Sequence, residues 1–363
     1  MNKKSITITL FLSFFLCGRF ASCTAEETWS RLLPAGEFYT LYDEDQNLLL
    51  ETGHQIHLKD QYLSGDNRLF EVVHVDEEKK VATANFVEEI ELKIFSWTDI
   101  QEELGLSVIE AASKEQKRGK IALYHTHNAE SYMPTDGSDS INGKGGVHKV
   151  GTVFSEALSN MGIEVLYSER LHLPHDRGAY RRSRETVLEL LSKNPDAIFD
   201  LHRDAAPKSA YAIQLGDEWM TSIQFVVGRQ NQNLGINRKY AQSLKKIADD
   251  LYPGLIKGIF YGKGNYNQDL TPLSLLLEVG AHTNSRDAAE RGISLFAEVV
   301  DYYFYGPSAE ASGVGQSKVA RRSIFGLVIF ITSGTIVFYI INVGGFKSAW
   351  KRLSTSLSRL KVK

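Results

Sequence analysis

The sequence predicts an α/β protein: a mostly parallel sheet with helices on both faces, preceded by a small β module and followed by one C-terminal transmembrane helix. Three observations carry this. From Lys120 onward, short apolar strands alternate with helical stretches, the pattern of a sheet whose parallel strands are joined through helices. Ahead of it, residues 36–86 hold strand-like runs and charged turns without a helical period. Behind it, Ile324 to Phe346 is an uncharged apolar run, long enough to cross about 30 Å of hydrocarbon.

In chain order, residues 1–25 read as a signal peptide. Lys3 and Lys4 precede the apolar run Ile6 to Cys17, and small residues end at Ala25, the three-part layout of an export signal. Phe20 to Cys23 also resembles a lipoprotein box, so cleavage at Ala25 and lipidation of Cys23 both stay open. Residues 26–100 read as the β module and a connector. Gly36 to Tyr42, Leu48 to Leu50, Glu71 to Val75 and Val81 to Phe86 are strand-like, with turns at Asp43 to Asn47 and Glu77 to Lys80. His54, His57 and His74 fit surface or strand positions there, and nothing in the module points to chemistry.

Residues 101–305 read as the α/β domain. Its strands are Ile121 to Tyr124, Ile163 to Tyr167, Ala197 to Leu201, Ile223 to Val227 and Leu273 to Val279. Its helices are Val150 to Asn160, Arg181 to Ser192, Leu234 to Leu251 and Arg286 to Tyr305, with stops at Asn194-Pro195 and Pro253-Gly254. A Gly/Ser-containing linker (306–322), the transmembrane helix (323–346) and a basic tail (347–363) follow. The six bases of that tail exceed Arg321-Arg322 on the other side, which predicts a single-pass cell-membrane protein, its C-terminus cytoplasmic and its folded body outside.

Composition narrows the function. At 363 residues, 43% hydrophobic and 23% charged, the chain is neither disordered, nor collagen-like, nor a polytopic membrane protein. The net charge of −3 combines two basic ends with a body of −12, which argues against a nucleic-acid partner. Both cysteines, Cys17 and Cys23, lie in the export segment. The body therefore has no disulfide, no catalytic thiol and no thiolate metal site, and any metal is left to His, Asp or Glu.

Three strands end in residues able to bind a metal or move a proton, where open α/β sheets place their sites. Tyr124 leads into His125-Thr126-His127-Asn128-Ala129-Glu130. Asp200-Leu201 leads into His202-Arg203-Asp204, and Leu277 into Glu278-Val279-Gly280. His127 and Glu130 in an H-x-x-E turn, with His202 from a second strand, make a two-His, one-carboxylate zinc site with an open fourth position. Glu278, ending an apolar strand, suits the acid/base that takes the water proton. Asp200, on the same strand face as His202, can orient its imidazole. Each residue alone has a plainer reading: a chance H-x-x-E, a satisfied surface His202, a Glu278 ion-paired with Arg203. His125, His148 and His175 compete for the ligand role, and His172 and His282 read as structural.

Tyr124-His125-Thr126-His127-Asn128-Ala129-Glu130-Ser131-Tyr132, His175-Asp176, Gly178 to Arg184, Asp200 to Ala205, and Leu277 to Gly280 with Asn284 resemble the stage II sporulation protein P family, in order and over about 120–305. That family is similar to zinc-dependent N-acetylmuramoyl-L-alanine amidases. The resemblance implies an amidase-like fold and a peptidoglycan hydrolase cutting stem peptides from glycan, with endopeptidase activity in some members. It implies action on the septal wall in engulfment, with a lytic transglycosylase as partner. Its members carry an N-terminal span, whereas this chain reads as signal plus C-terminal anchor. The resulting expectation is Zn2+ on His127, Glu130 and His202, Glu278 as acid/base and Arg203 against a substrate carboxylate. The alternatives are a zinc carboxypeptidase or endopeptidase on the stem peptide, or a catalytically silent wall-binding protein.

Overall fold

The computed structural model describes residues 33, 36–103, 105 and 119–306. Strands β1 (Tyr39–Tyr42), β2 (Leu48–Thr52), β3 (Gln61–Ser64), β4 (Arg68–Asp76) and β5 (Val81–Glu89) come first, then a short helix α1 (Trp97–Glu103). The α/β part runs β6 (Lys120–Tyr124), α2 (Met133–Asp136), α3 (Val147–Asn160), β7 (Glu164–Tyr167), α4 (Ala179–Leu191) and β8 (Ala197–Asp204). A hairpin, β9 (Ala212–Leu215) and β10 (Glu218–Thr221), precedes β11 (Ile223–Gly228), α5 (Leu234–Leu251), β12 (Ile256–Gly262), β13 (Ser274–Ala281) and α6 (Arg286–Tyr305).

The first five strands do not form a separate sheet. One 11-stranded sheet runs β2-β1-β5-β4-β3-β12-β11-β13-β8-β6-β7, joined where β3 pairs antiparallel with β12 through Leu63↔Ile259 and Phe260↔Tyr62. Within the α/β part, β7-β6-β8-β13 and β11-β12 are parallel, and β11 runs antiparallel to β13. Strand alternation sorts the side chains onto two faces. Phe199, Phe225, Ile259, Leu275 and Leu277 pack with Phe154 of α3, Tyr240 and Leu244 of α5, and Phe296 of α6. The ring of Phe296 lies 5.5–5.8 Å from Phe225, Phe154 and Phe199. On the opposite face, Ala122, Tyr124 and Ile198 meet Val187 and Leu190 of α4. Val226, Phe260 and Leu276 share one apolar cluster with Tyr39, Leu41, Leu50 and Ile56, so the early strands cover what α4 leaves open.

The expected transmembrane helix is not part of this architecture. Among the described residues no helix is long and apolar enough to cross a membrane. The last helix, α6, has 20 residues, but Arg286, Asp287, Glu290 and Arg291 fill its first turns, and its buried face, which carries Ala289, Ile293, Phe296, Ala297 and Val300, packs into the protein core. The fold is corrected to a mixed α/β sheet, and the single-pass localisation has no element here to carry it. The segments read as signal, span and tail, with both cysteines, and all of the linker beyond Gly306 lie outside the described residues.

Candidate active site

The strand ends converge on the sheet face that α4 and the early strands cover. Parallel pairing sets Glu278 beside His202, and antiparallel pairing sets Gln224 beside Glu278, so these side chains share one face. After β6 the chain turns sharply, Glu130 donating its N–H to the His127 carbonyl at 3.3 Å. Thr126 fixes that turn to β8, giving its N–H to Asp200 Oδ1 at 2.8 Å and its hydroxyl to Oδ2 at 2.6 Å. Arg203 donates its backbone N–H to Glu130 Oε2 at 3.0 Å, aiming the other carboxylate oxygen inward.

The result is a triangle. His127 Nδ1 lies 3.3 Å from His202 Nδ1 and 3.5 Å from Glu130 Oε1, and His202 Nδ1 lies 3.4 Å from Glu130 Oε1. All three residues are buried. Donors about 2.0–2.1 Å from a tetrahedral zinc stand about 3.3 Å from one another, so the set fits that ion. The outer nitrogens agree. His127 Nε2 faces the Asp176 carbonyl at 3.3 Å, an acceptor only, which leaves Nδ1 as a lone pair. His202 Nε2 lies 3.0 Å from Asp200 Oδ1, an electrostatic contact more than an aligned hydrogen bond. Tyr180 of α4 packs on both rings, at centroid distances of 5.2 Å from His127 and 6.2 Å from His202. Burial pushes the His127 pKa down, against the pull of Glu130. Burial also opposes charge on His202, but Asp200 and Glu130 outweigh it and raise its pKa well above the ordinary value. The surroundings therefore favour a cation at this point.

The other histidines divide. His125 points away, Nδ1 on the Leu201 carbonyl at 2.9 Å and Nε2 on Tyr167 Oη at 2.8 Å. His148 contacts Asn128 Nδ2 through Nε2, and His172 spans the His125 carbonyl and Thr186. His282 donates its backbone N–H to the Asp204 carbonyl. His175 alone of the competitors stands at the triangle, 24% exposed, its Nε2 3.8 Å from Glu130 Oε1. Burial and the neighbouring His127 push its pKa down to about 4. Arg203 is turned inward, giving Nε to the Ser131 carbonyl at 3.2 Å and Nη2 to that of Asp139 at 2.8 Å. It braces the loop that carries Glu130, and Glu278 pairs elsewhere.

That partner is His54, for which the sequence predicts only a surface or strand position. His54 Nε2 lies 2.7 Å from Glu278 Oε1, both side chains buried. A carboxylate only accepts, so Nε2 carries the proton. Glu278 Oε2 has no hydrogen-bond partner among the described residues. Burial raises the Glu278 pKa against the pull of His54. Burial would lower that of His54, but Glu278 raises it above ordinary. The pair thus holds on to a proton. Beyond Glu278 the strand bulges, and Gly280, at φ +73°, has no room for a side chain because Thr221 fills the space. No sequence signal marked His54, because its role depends on a contact across 224 positions.

The family model of stage II sporulation protein P (SpoIIP) matches residues 42–301. The stage II sporulation protein P of Bacillus subtilis (strain 168) is 32% identical over 218 residues, covering 54% of this chain and 54% of that protein, so the match spans about half the length of the relative. Among solved structures, the CwlD amidase from Clostridioides difficile in complex with the GerS lipoprotein is 15% identical, over 51% of this chain and 98% of that one, with a TM-score of 0.33. The N-acetylmuramyl-L-alanine amidase Ami1 from Mycobacterium smegmatis is 14% identical over 51% and 94%, with a TM-score of 0.32. Resemblance of that degree carries no conclusion about this chain. The family match, which begins within the early strands and ends in α6, does: the chain belongs to the stage II sporulation protein P family.

Proposed function

We propose that this protein is a zinc-dependent peptidoglycan hydrolase that cleaves the amide between N-acetylmuramic acid and L-alanine during wall remodelling in sporulation. The observation that supports it most is the His127–Glu130–His202 triangle with the buried carboxylate of Glu278 on the adjoining strand. Family membership supports the sporulation setting, and the likeness of that family to muramoyl amidases supports the bond. Zinc held by those three residues would supply Lewis acidity, polarising a carbonyl and lowering the pKa of water toward ~7.

The remaining work falls to the chain. Glu278 Oε2 takes a proton from water as the water oxygen bonds to the scissile carbonyl carbon. As the C–N bond breaks, the same oxygen passes that proton to the departing alanine nitrogen. The product is a lactyl carboxyl on the sugar and a free stem peptide. Asp200 and the Asp176 carbonyl hold the two imidazoles in the orientation that points Nδ1 inward, and Arg203 holds Glu130 through its backbone N–H. Incubation of the purified zinc-loaded chain with peptidoglycan tests the reading. Whole stem peptides with a free L-alanine amine are expected, and shortened stems would move the assignment to a peptidase.

A further inference from the structure

The early strands bring more than a cover to the site. The segment that joins β2 to β3 is pressed against the end of β8: Gly53 donates its N–H to Asp204 Oδ1 at 2.7 Å, and a Cβ on Gly53 would stand 2.7 Å from that of Ala205. Asp204 is fixed in turn by the Tyr211 hydroxyl at 2.7 Å and the Ala205 N–H at 2.8 Å. The next residue, His54, gives its own N–H to Thr52 Oγ1 at 3.2 Å. Its ring lies between Phe260, 6.0 Å away and tilted, and Tyr266, 6.0 Å away edge-on. Backbone clamp and aromatic walls both fix the imidazole before it meets the carboxylate.

We infer that His54 is a positioning residue for Glu278, and that strands β1 to β5 thereby complete the active site. The inference rests on the reading of Glu278 as the proton carrier. A glutamate has three side-chain torsions and, unheld, spreads over several rotamers. Here one oxygen is bound to an immobilised Nε2–H, while the second, without a partner among the described residues, is left to receive and return the proton. Holding a reacting group within a fraction of an ångström is the usual task of such a contact. A mere strut between strand and sheet would hold the fold together and leave turnover alone.

The test compares His54→Ala and His54→Gln in the full zinc-loaded chain, on a soluble muropeptide, reading kcat and KM separately with zinc content and Tm. For His54→Ala, kcat falls about ten- to a hundredfold while KM stays within about twofold and zinc remains bound. His54→Gln, whose amide nitrogen can donate in place of Nε2, recovers most of the lost kcat. Wild-type kcat in folded His54→Ala overturns the inference, as does a folded, zinc-loaded His54→Gln no better than alanine. If His54→Ala does not fold, His54→Leu takes its place: equal turnover of the leucine and glutamine variants overturns the inference, and turnover in glutamine alone supports it. A wild-type chain that cleaves no muropeptide removes the hydrolase reading itself, and this inference falls with it.

Discussion

Gly53 and Asp204 meet across 151 positions of sequence, the backbone N–H of one 2.7 Å from Oδ1 of the other, at the seam between the early strands and the end of β8. The seam has no slack. Gly53→Ala would place its Cβ 2.7 Å from Ala205 Cβ and 3.1 Å from Ala205 N, so backbone must shift. Overpacking of this kind costs about 1–3 kcal/mol. Urea unfolding should register that loss, and a midpoint equal to wild type would show that the contact yields freely.

Removing the carboxylate without removing its shape separates chemistry from metal binding. Glu278→Gln should retain zinc and lower kcat by about 10²- to 10⁴-fold, the range for a lost general acid/base. Elemental analysis beside turnover decides this. Loss of zinc together with activity would make Glu278 a ligand.

The triangle predicts its own stoichiometry. The purified chain should carry one zinc, and His127→Ala and His202→Ala should each lose it. Metal bound only to the folded state stabilises that state, so a chelator should lower Tm in wild type and leave both variants unmoved. A wild-type chain that takes up no zinc would refute the assignment of these ligands.

Much of this site was legible because its residues end apolar strands. His127, Glu130, His202 and Glu278 could be placed together by knowing only that α/β sheets gather functional groups at strand ends. The span Leu234–Leu251 is visible as helix in both sequence and structure, since its apolar period is long and stopped by Pro253-Gly254. Periodicity gives an element and its buried face but not its partner. Hence the pairing of β3 with β12, which merges module and domain into one sheet, could not be read. β12 itself, Ile256–Gly262, is interrupted by Gly258 and gave no clean strand signal. His54 was missed for the same reason, its partner being 224 residues away. The sequence places Arg203 against a substrate carboxylate, but sequence does not show that its guanidinium donates to the Ser131 and Asp139 carbonyls of a neighbouring loop.

Lys257 links stability to pH. It is half-buried on β12, its Nζ 4.1 Å from the ring centre of Tyr211, and burial lowers its pKa to about 8, partly offset by Asp204, Glu51 and Glu278. The unfolded chain keeps an ordinary lysine near 10.5, so between about pH 8 and 10.5 it binds the extra proton. Stability contributed at this position therefore rises with pH across that window. Below pH 8 the lysine is charged in both states and the cost of burying it is constant. Lys257→Met should flatten the rise between pH 8 and 10 in urea titrations. An identical pH slope in the variant would show that the amine is already solvated.

Product analysis of digested peptidoglycan bears most directly on the central claim that His127, Glu130, His202 and Glu278 together hydrolyse the muramoyl–alanine amide. The zinc-loaded wild-type chain should release intact stem peptides with a new N-terminal L-alanine amine and leave glycan strands stripped of peptide, while Glu278→Gln releases none. Glycan left fully substituted, or stems released only in shortened form, would contradict it.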